Sequence, residues 1–363
     1  MPLTAPGEVV EAEPVADRKN RIEARLVSVI EPSPDRRDAP CPHYAECGGC
    51  QLQHIGYAAQ AKVRRGFVIE AIERERLPFG GELEFVPSPF ELGYRNRAQP
   101  AVAGGKLGCL KRRSHEIIEI EDCPLCLPDV LTAIASLKEY LRTTGDLAAP
   151  QGRVFVMCGE NGKVAAEPSP DHNWPEEVRW TLSGVTFWCR PDVFFQANAH
   201  LLDALQGIVC DGQSGGAALD LFGGVGFFSI PLARSFRSVT VIEEDRAAVA
   251  LGKRNARDAR ADNVRFIPSR VEDLDPEAIE SQPDLIIVDP PRAGLSNKAF
   301  DLFAALSPER AVYVSCDPSS MARDLKKMAR AGWTLRRLVV LDMFPQTFHV
   351  ETVAFLSRFK IPV

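Results

Sequence analysis

The chain of 363 residues lacks the features of a membrane or secreted protein. No apolar run approaches the roughly 18 residues that a transmembrane helix needs. The N-terminus is rich in proline and glutamate and has no apolar segment of the kind found in secretory signals. With 45% hydrophobic and 25% charged residues, the composition is that of a globular protein, and the length suits roughly two to three domains. We therefore expect a cytoplasmic protein without a membrane partner.

An overall positive charge is also absent, because the formal net charge is −6. A local basic groove is still possible, since nucleic-acid binding depends on the local potential rather than on the net charge. Positive charge is concentrated before the middle of the chain, at 62–65 (Lys-Val-Arg-Arg), 94–97 (Tyr-Arg-Asn-Arg) and 111–113 (Lys-Arg-Arg). These clusters indicate either a nucleic-acid contact or a solvated charged face.

Cysteine, in contrast, is plentiful. Ten cysteines in a chain without a signal indicate a reducing compartment, where clustered cysteines bind metal or do chemistry more often than they form disulfides. Cys41, Cys47 and Cys50 are close in sequence, and Cys123 and Cys126 follow much later. Thiolates bind zinc or iron–sulfur clusters tightly. The pattern predicts a metal site, but it leaves the metal open because Cys123 and Cys126 also form a zinc-like half-site.

The second half of the chain has a regular pattern that begins near Gly184. Apolar, strand-like runs alternate with helical stretches, which is typical of a mostly parallel, doubly wound α/β sheet. The last two runs are joined by a short connection, so we expect the final strand to be antiparallel. The seven runs fit the Rossmann-like plan of methyltransferases and lie at 217–222, 239–242, 264–267, 285–288, 312–315, 335–341 and 352–359.

The same patterns divide the chain into three parts. Residues 1–40 contain an alternating strand and a proline-rich linker and are too short for an independent domain. Residues 41–183 form a smaller α+β domain that carries the cysteine pattern, and residues 184–363 form the α/β domain. Within the middle part we expect helices at 60–76 and 130–142 and a strand at 153–158.

A glycine-rich loop follows the first strand of the α/β domain, in Asp220-Leu-Phe-Gly-Gly-Val-Gly226. Glycines allow a tight turn and a close approach of the backbone to a ligand. Glu243 closes the next strand, where a carboxylate could bind ribose hydroxyls. This pattern alone is weak, since it also occurs in nicotinamide enzymes and in turns without a ligand. Asp220, before the glycines, and Asp289, in a later motif, favour S-adenosylmethionine.

That later motif, Asp289-Pro-Pro-Arg292, ends a fully apolar strand. Prolines keep the chain extended there, and Asp289 is expected at the carboxyl edge of the sheet, where ligands bind. Enzymes that methylate exocyclic amines place an aromatic residue after such prolines. Because this chain has Arg292 instead, the motif favours methylation of carbon. A carboxylate that only caps the following turn is the alternative.

Cys316 and Glu351 suggest how a carbon could be methylated. The C5 atom of uracil is a poor nucleophile, but addition of a thiolate to C6 produces an enolate that can attack a methyl sulfonium. A base must then remove the C5 proton before the thiolate can leave. Cys316 follows a buried strand and opens a helix, which should lower its pKa, although Asp317 opposes this. Glu351 borders the last strand, where burial should raise its pKa.

With these motifs the chain resembles the bacterial RNA 5-methyluridine methyltransferases, which act on 23S ribosomal RNA and, in one branch, on transfer RNA. The resemblance extends from about Glu23 to the C-terminus. It is carried by Cys-Pro-His-Tyr-Ala-Glu-Cys-Gly-Gly-Cys (41–50), Tyr-Arg-Asn-Arg-Ala-Gln (94–99), Phe-Phe-Gln-Ala-Asn (194–198), Asp-Leu-Phe-Gly-Gly-Val-Gly (220–226), Asp-Pro-Pro-Arg-Ala-Gly (289–294), Val-Ser-Cys-Asp-Pro-Ser (314–319) and the segment 342–351.

The resemblance implies roles for individual residues. Cys316 would be the nucleophile and Glu351 the base, with Asp289 beside them. Phe194 would lie near a flipped uridine, which must leave any stack to be reached. The other implied site residues are Gln196, Phe222, Gly224, Gly226 and Glu243 for the methyl donor, Arg95 and Arg97 for RNA, and Cys41, Cys47, Cys50 and Cys123 as ligands of a 4Fe–4S cluster, with Cys126 a spare.

The resemblance also implies a monomer that acts on 23S ribosomal RNA, with the cluster shaping the RNA-binding domain and taking no part in methyl transfer. Many relatives begin with a complete small RNA-binding β-barrel, of which only the final strands are expected here, at 7–30.

Three other functions remain as alternatives. A transfer RNA methyltransferase would use the same chemistry. An RNA cytosine-C5 methyltransferase would need a Pro-Cys nucleophile after the Asp-Pro-Pro motif, and neither that pattern nor its second cysteine matches. A non-catalytic RNA-binding assembly factor would not need Cys316, Glu351 and Asp289 together.

Overall fold

A computed structural model describes residues 1–358 except for Asn20, Glu82, Asp146, 148–151 and His172. The end of the last expected strand, Phe359, lies outside the described residues. The chain begins with an antiparallel hairpin of β1 (Val9–Arg18) and β2 (Arg21–Glu31), which contains the alternating segment expected at 22–30.

The middle of the chain forms several small sheets around one long helix. Helix α2 (Pro128–Thr144) has Pro128 in its first turn. Gly145 follows its last residue and, with a φ of 75°, terminates the helix. Its apolar face packs on the two three-stranded sheets, β4-β8-β9 and β5-β6-β7. The elements are α1 (Tyr57–Glu75), β3 (Leu83–Val86), β4 (Arg97–Ala98), β5 (Ala101–Ala103), β6 (Lys106–Leu110), β7 (Ile117–Ile118), α2 (Pro128–Thr144), β8 (Phe155–Cys158), β9 (Val164–Glu167) and the hairpin β10 (Val178–Leu182) with β11 (Val185–Cys189).

The remaining residues form the predicted doubly wound domain. All seven expected runs are strands of one sheet, in the order β14-β13-β12-β15-β16-β18-β17, and β18 is antiparallel to both neighbours as expected. The elements are α3 (Leu202–Cys210), β12 (Gly215–Leu221), α4 (Ser229–Leu232), β13 (Phe236–Glu243), α5 (Arg246–Asp258), β14 (Val264–Pro268), β15 (Leu285–Val288), α6 (Asn297–Leu306), β16 (Arg310–Ser315), α7 (Pro318–Arg330), β17 (Trp333–Leu341) and β18 (Glu351–Arg358).

An eighth strand joins this sheet from outside the expected domain. β3 lies parallel to β17, and helix α1 packs against α7. The strand was not predicted because it has only four residues and no strong apolar run of its own. Its pairing partner lies far away in sequence, so pairing rather than local pattern creates the strand. The expected boundary at 183/184 falls in the turn between β10 and β11. The three-part division stays a prediction.

Strand β15 shows why the sheet lies in the centre of the core. All four of its residues are fully buried, with Leu285 and Ile287 in one apolar cluster and Ile286 and Val288 in another. Because side chains alternate between the faces of a strand, both faces of the sheet are covered. None of the helices in the described part of the chain is long and apolar enough to cross a membrane.

Candidate active site

The candidate site lies at the carboxyl edge of the parallel strands. β12 pairs with β13 on one side and with β15 on the other, so the chain order reverses at β12 and a crevice opens beyond the strand ends. Ligands of doubly wound sheets bind in such crevices. The loops after β12, β15 and β16 carry the glycine-rich motif, Asp289 and Cys316.

The loop after β12, residues 222–226, is called the cofactor loop here. Its backbone has positive φ at Phe222 (66°), Gly224 (54°) and Gly226 (82°), a conformation that favours glycine. A Cβ atom on Gly226 would lie 3.0 Å from both Ile230 and Phe266. Glu243 accepts a hydrogen bond of 2.9 Å from the backbone N–H of Gly224. The carboxylate at the end of β13 therefore stabilises the loop.

A pocket separates the cofactor loop from the segment that contains Phe194. It brings together Phe194, Gln196, Phe222, Gly224 and Asp289, all of which were predicted site residues. Gly226 turns the loop behind this pocket, and Glu243 reaches it through its bond to Gly224.

Three carboxyl groups lie near this pocket, and burial raises the pKa of each. The pKa of Asp220 rises to about 7 because the side chain is buried, while a hydrogen bond from Ser229 opposes the shift and the charges of Asp289 and Glu243 add to it. Burial likewise raises the pKa of Asp289 to about 7. The pKa of Glu351 is raised well above its ordinary value by burial and then by Asp289, as predicted for the base.

Cys316 lies between β16 and α7, in the predicted position at a helix start. Asp317 caps the helix by accepting a bond of 2.7 Å from the N–H of Ser320. The expectation of a lowered thiol pKa is wrong for the free protein, since burial raises the pKa of Cys316 to about 11 and Glu351 adds to the shift. The reason is that desolvation and nearby carboxyl groups outweigh the helix terminus.

Arg292 opposes these shifts, and its position was not predicted as part of the site. Its charge and its hydrogen bond lower the pKa of Cys316, and its charge also lowers the pKa of Glu351. Its Nη2 atom lies 3.4 Å from Nδ1 of His349. Burial first, and then Arg292, lower the pKa of His349 to about 4, so this ring is neutral. The sequence signal was the Arg that follows the Asp289 motif.

A cavity of about 280 Å³ opens in front of Cys316. Arg292 and His349 line its inner wall, and Phe67 and Arg74 of α1 line the opposite wall. A helix from the cysteine-containing part therefore lines the approach to Cys316.

Phe194 and the two predicted RNA-binding arginines differ in exposure. Phe194 is 65% exposed, which is unusual for a phenylalanine. The guanidinium of Arg97 donates hydrogen bonds to the carbonyls of Phe195 (2.9 Å) and Pro191 (3.2 Å) and lies 5.8 Å from the Phe194 ring. Arg97 thus supports the segment that presents Phe194. Arg95 is half-buried, and its Nε atom is buried without a hydrogen-bond partner.

The predicted cysteines come together, and a further one joins them. Cys41, Cys47 and Cys50 are buried, Cys123 is half-buried, and neighbouring thiols affect the pKa of each. The pKa of Cys47 is lowered to about 6, mainly by a hydrogen bond from Cys109, which the sequence did not single out.

Cys126 acts in the same way on Cys123 and lowers its pKa to about 7. These six residues are called the cysteine cluster here. Within the part of the chain that the structure describes, no group of three or more Cys, His, Asp or Glu side chains is already arranged to hold a metal ion.

Comparison with known proteins agrees with this geometry. A family model described as tRNA (Uracil-5-)-methyltransferase matches residues 269–359, and one described as Methyltransferase small domain matches residues 182–306. The 23S rRNA (uracil(1939)-C(5))-methyltransferase RlmD of Pseudomonas entomophila is 32% identical over 97% of this chain and 87% of its own length. An uncharacterized RNA methyltransferase of Aquifex aeolicus is 31% identical over 98% of this chain and 92% of its own length.

A solved structure extends the agreement to the fold. The Pyrococcus abyssi tRNA (uracil-54, C5)-methyltransferase, in complex with S-adenosyl-L-homocysteine, matches with a TM-score of 0.77 and 27% identity. The match covers 98% of this chain and 94% of that chain, and the Rossmann-like methyltransferase fold is thus confirmed. Because relatives more than 30% identical match this chain over nearly its whole length, the chain belongs to the family of RNA uracil-C5 methyltransferases.

Proposed function

We propose that the protein transfers the methyl group of S-adenosylmethionine to C5 of a uridine in RNA, with 23S ribosomal RNA as its substrate. The observation that carries the proposal is the meeting of Cys316, Glu351 and Arg292 beside Asp289 at one edge of the sheet. Neither a thiol nor a carboxyl alone would indicate this reaction. Together they match its two requirements, a nucleophile for C6 and a base for C5.

The residues of the crevice fit the methyl donor. The cofactor loop turns through positive φ angles and leaves room for close approach, and a pocket extends from it to Gln196 and Asp289. Glu243 stands at the end of β13, where a ribose would be bound. S-adenosylmethionine, when bound, supplies an electrophilic methyl group attached to a positively charged sulfur.

Cys316 begins the reaction by forming a bond from its thiolate sulfur to C6. The electrons of the C5–C6 double bond then move towards C5 and the O4 enolate, which makes C5 nucleophilic. After C5 has been methylated, Glu351 removes the remaining C5 proton. The electrons of that C–H bond restore the double bond as the bond between C6 and the Cys316 sulfur breaks.

Arg292 counteracts the raised pKa values of Cys316 and Glu351. Burial raises the pKa of both Cys316 and Glu351 in the free protein, yet the first must become a thiolate and the second a carboxylate. The guanidinium favours the charged form of each group. We therefore assign to Arg292 the stabilisation of the thiolate and of the ionised base, with His349 as its neighbour.

The choice of 23S ribosomal RNA is supported by the relatives of that name, which the chain matches over nearly its whole length. Transfer RNA remains the second candidate, because the solved structure with the high TM-score is of a transfer RNA methyltransferase. Phe194 would face the target base in either RNA, since its exposed ring and the nearby Arg97 suit a stacked or flipped base. The protein would act as a monomer in the cytoplasm, where its ten free thiols stay reduced.

We further propose that the cysteine cluster holds a 4Fe–4S cluster on Cys41, Cys47, Cys50 and Cys123, remote from methyl transfer. The donor set fits, because these are neighbouring thiols. The pKa values of Cys47 and Cys123 are lowered, whereas burial raises those of Cys41 and Cys50. In the structure Cys47 is hydrogen-bonded to Cys109 and Cys123 to Cys126, so these thiols would have to turn towards the group that they bind. Zinc is the alternative, with Cys109 and Cys126 as spare thiols.

Nucleoside mass spectrometry tests the proposal. Protein purified without oxygen is incubated with S-adenosylmethionine and with unmodified 23S ribosomal RNA or unmodified transfer RNA. We expect new 5-methyluridine in the ribosomal RNA only, and none with Cys316→Ala. 5-Methyluridine in transfer RNA alone would show that transfer RNA is the substrate. No 5-methyluridine in either RNA would contradict the proposed function.

A further inference from the structure

The loop that leads to the base is held by residues from the other half of the chain. Residues 342–350, called the base loop here, connect β17 to β18, and Glu351 is the first residue of β18. Asp342, Met343, Gln346 and Thr347 in this loop are fully buried. The position of Glu351 therefore depends on the contacts of the base loop.

Gln346 is the centre of these contacts. Its backbone N–H donates to Oε1 of Gln60 (2.9 Å), and the side-chain amide of Gln60 donates in return to Oε1 of Gln346 (2.8 Å). Its backbone carbonyl accepts bonds from the N–H groups of Gln51 (3.0 Å) and Leu52 (2.9 Å). Its own amide donates to Oε2 of Glu91 (3.0 Å). Gln346 also has a φ of 71°, a strained angle for a residue with a side chain.

Arg64 of α1 contacts the same loop at two positions. Its Nη2 atom lies 2.6 Å from Asp342, and both side chains are fully buried. Its Nη1 atom donates to the carbonyl of Thr347 (3.2 Å). Tyr94 adds a bond of 2.9 Å to the carbonyl of Pro345. Such buried, charge-assisted bonds restrict the loop to one arrangement.

We propose that Gln346 and Arg64 are positioning residues that set the base, Glu351, against C5 of the target uridine. The partners of Gln346 and Arg64 outside the loop come from α1, from the segment after Cys50 and from the segment around Glu91. The cysteine-containing part thus serves as the anchor of the catalytic base, and Cys50 is one residue from the bonded N–H of Gln51. The inference rests on the proposed function, because it assumes that Glu351 removes the C5 proton.

When the contacts of the base loop are weakened, removal of the C5 proton by Glu351 should be the step that fails. Proton removal requires the carboxylate within hydrogen-bond reach of its target, and a displacement of about 1 Å can lower a rate by roughly 100-fold. Cys316 lies on a different loop and can still add to C6. A loosened base loop should therefore leave the methylated uridine attached to Cys316, and a denaturant-resistant adduct of protein and RNA should accumulate.

The experiment compares four variants with the wild type in kcat, in KM for RNA and for S-adenosylmethionine, and in the amount of adduct. Gln346→Gly and Gln346→Asn tolerate the positive φ, and Arg64→Lys keeps the charge but loses the second contact. Arg337→Gln is the matched control, since it removes an exposed contact of β17 with Glu84 of β3 away from the loop. We expect Gln346→Gly to lower kcat by about 10- to 100-fold, with both KM values within about 3-fold and with accumulated adduct. Gln346→Asn should recover part of kcat, and the control should match the wild type.

Folding of the variants is checked by binding of S-adenosylmethionine, which uses the far side of the crevice. If the buried variants do not fold, Glu91→Ala replaces them, because Glu91 is only half-buried and holds Gln346 from outside. It should show the same adduct at a smaller loss of kcat. Folded variants that turn over like the wild type, or that lose adduct and product equally, would overturn the inference. A wild type that makes no 5-methyluridine would instead contradict the proposed function.

Discussion

The cofactor loop and the cysteine cluster obtain their geometry in different ways. In the cofactor loop, the backbone sets the shape, and Glu243 holds it through one bond to Gly224. The cysteine cluster, in contrast, depends on side chains from three separate segments, and two pairs of its thiols are joined by hydrogen bonds. A local backbone motif is complete in a few consecutive residues, whereas a side-chain cluster exists only when the chain has folded. The cofactor loop and the cysteine cluster should therefore respond differently to substitution.

The largest effect should come from Cys316→Ala. Removal of the nucleophile should lower methylation by a factor of roughly 10⁴ or more, as loss of a covalent catalyst does in other enzymes. Binding of RNA and of S-adenosylmethionine should persist, because neither the cofactor loop nor the cysteine cluster changes. Measured rates of 5-methyluridine formation and equilibrium binding check this. The buried Cys189→Ala serves as the control, and methylation by Cys316→Ala near the control rate would rule out the assigned nucleophile.

The next largest effect on methylation should come from Glu351→Gln. The amide has nearly the same shape but cannot accept the C5 proton, so the overall rate should fall by about 10²- to 10⁴-fold. Cys316 should still add to C6, and the methylated RNA should stay attached to the protein. A gel run under denaturing conditions measures the adduct. If the variant shows neither product nor adduct, Glu351 acts before or during addition, and the assigned order of steps is wrong.

Substitution in the cysteine cluster should affect metal content more than chemistry. The wild type, purified without oxygen, should contain about four iron and four sulfide per chain, and Cys47→Ser should lose most of both. Cys109→Ser should keep them, since Cys109 is proposed as a spare thiol. Methylation per folded Cys47→Ser protein should fall by less than about 10-fold, because the iron–sulfur cluster is proposed to take no part in the reaction.

Elemental analysis separates the outcomes. Stoichiometric zinc without sulfide would show that the cysteines bind zinc and would contradict the iron–sulfur proposal. Equal loss of iron in Cys109→Ser and Cys47→Ser would instead show that the set of ligands is different.

The smallest effect should be a pH-dependent stability change near the cofactor loop. The pKa of Asp220 is about 7 in the folded protein against 3.8 ordinarily, so the folded state binds this proton more tightly than the unfolded state. The stabilisation is present at low pH and is lost as pH rises towards 7. The amide of Asp220→Asn does not titrate, so this variant does not lose stability from ionisation at position 220 as pH rises. Its free energy of unfolding relative to the wild type should therefore increase by about 2–3 kcal/mol between pH 5 and pH 8.

Urea unfolding at the two pH values measures the difference. A constant difference between Asp220→Asn and the wild type would show that Asp220 is ionised throughout this range. Asp211→Asn is a matched control, because Asp211 is exposed.

Much of the site was predictable because it depends on consecutive residues. The strand ends that carry Asp289 and Cys316 and the glycine turns of the cofactor loop follow from local patterns, and the structure confirms their conformations. The raised pKa of Glu351 also follows, since its apolar neighbours indicate burial. The pKa of Cys316 was predicted with the wrong sign, because the helix start is visible in the sequence but the approach of Glu351 is not.

The sequence by itself determined the doubly wound sheet and its seven strands, the position of Cys316 at the start of a helix and the glycine loop, because each depends on residues adjacent in the chain. Only the tertiary structure decided that β3 extends the sheet, that Cys109 approaches Cys47, and that Arg64 and Gln346 hold the base loop. These features depend on which distant segments pack together and on how deeply they are buried. Burial and long-range pairing are properties of the folded chain, and no local pattern encodes them.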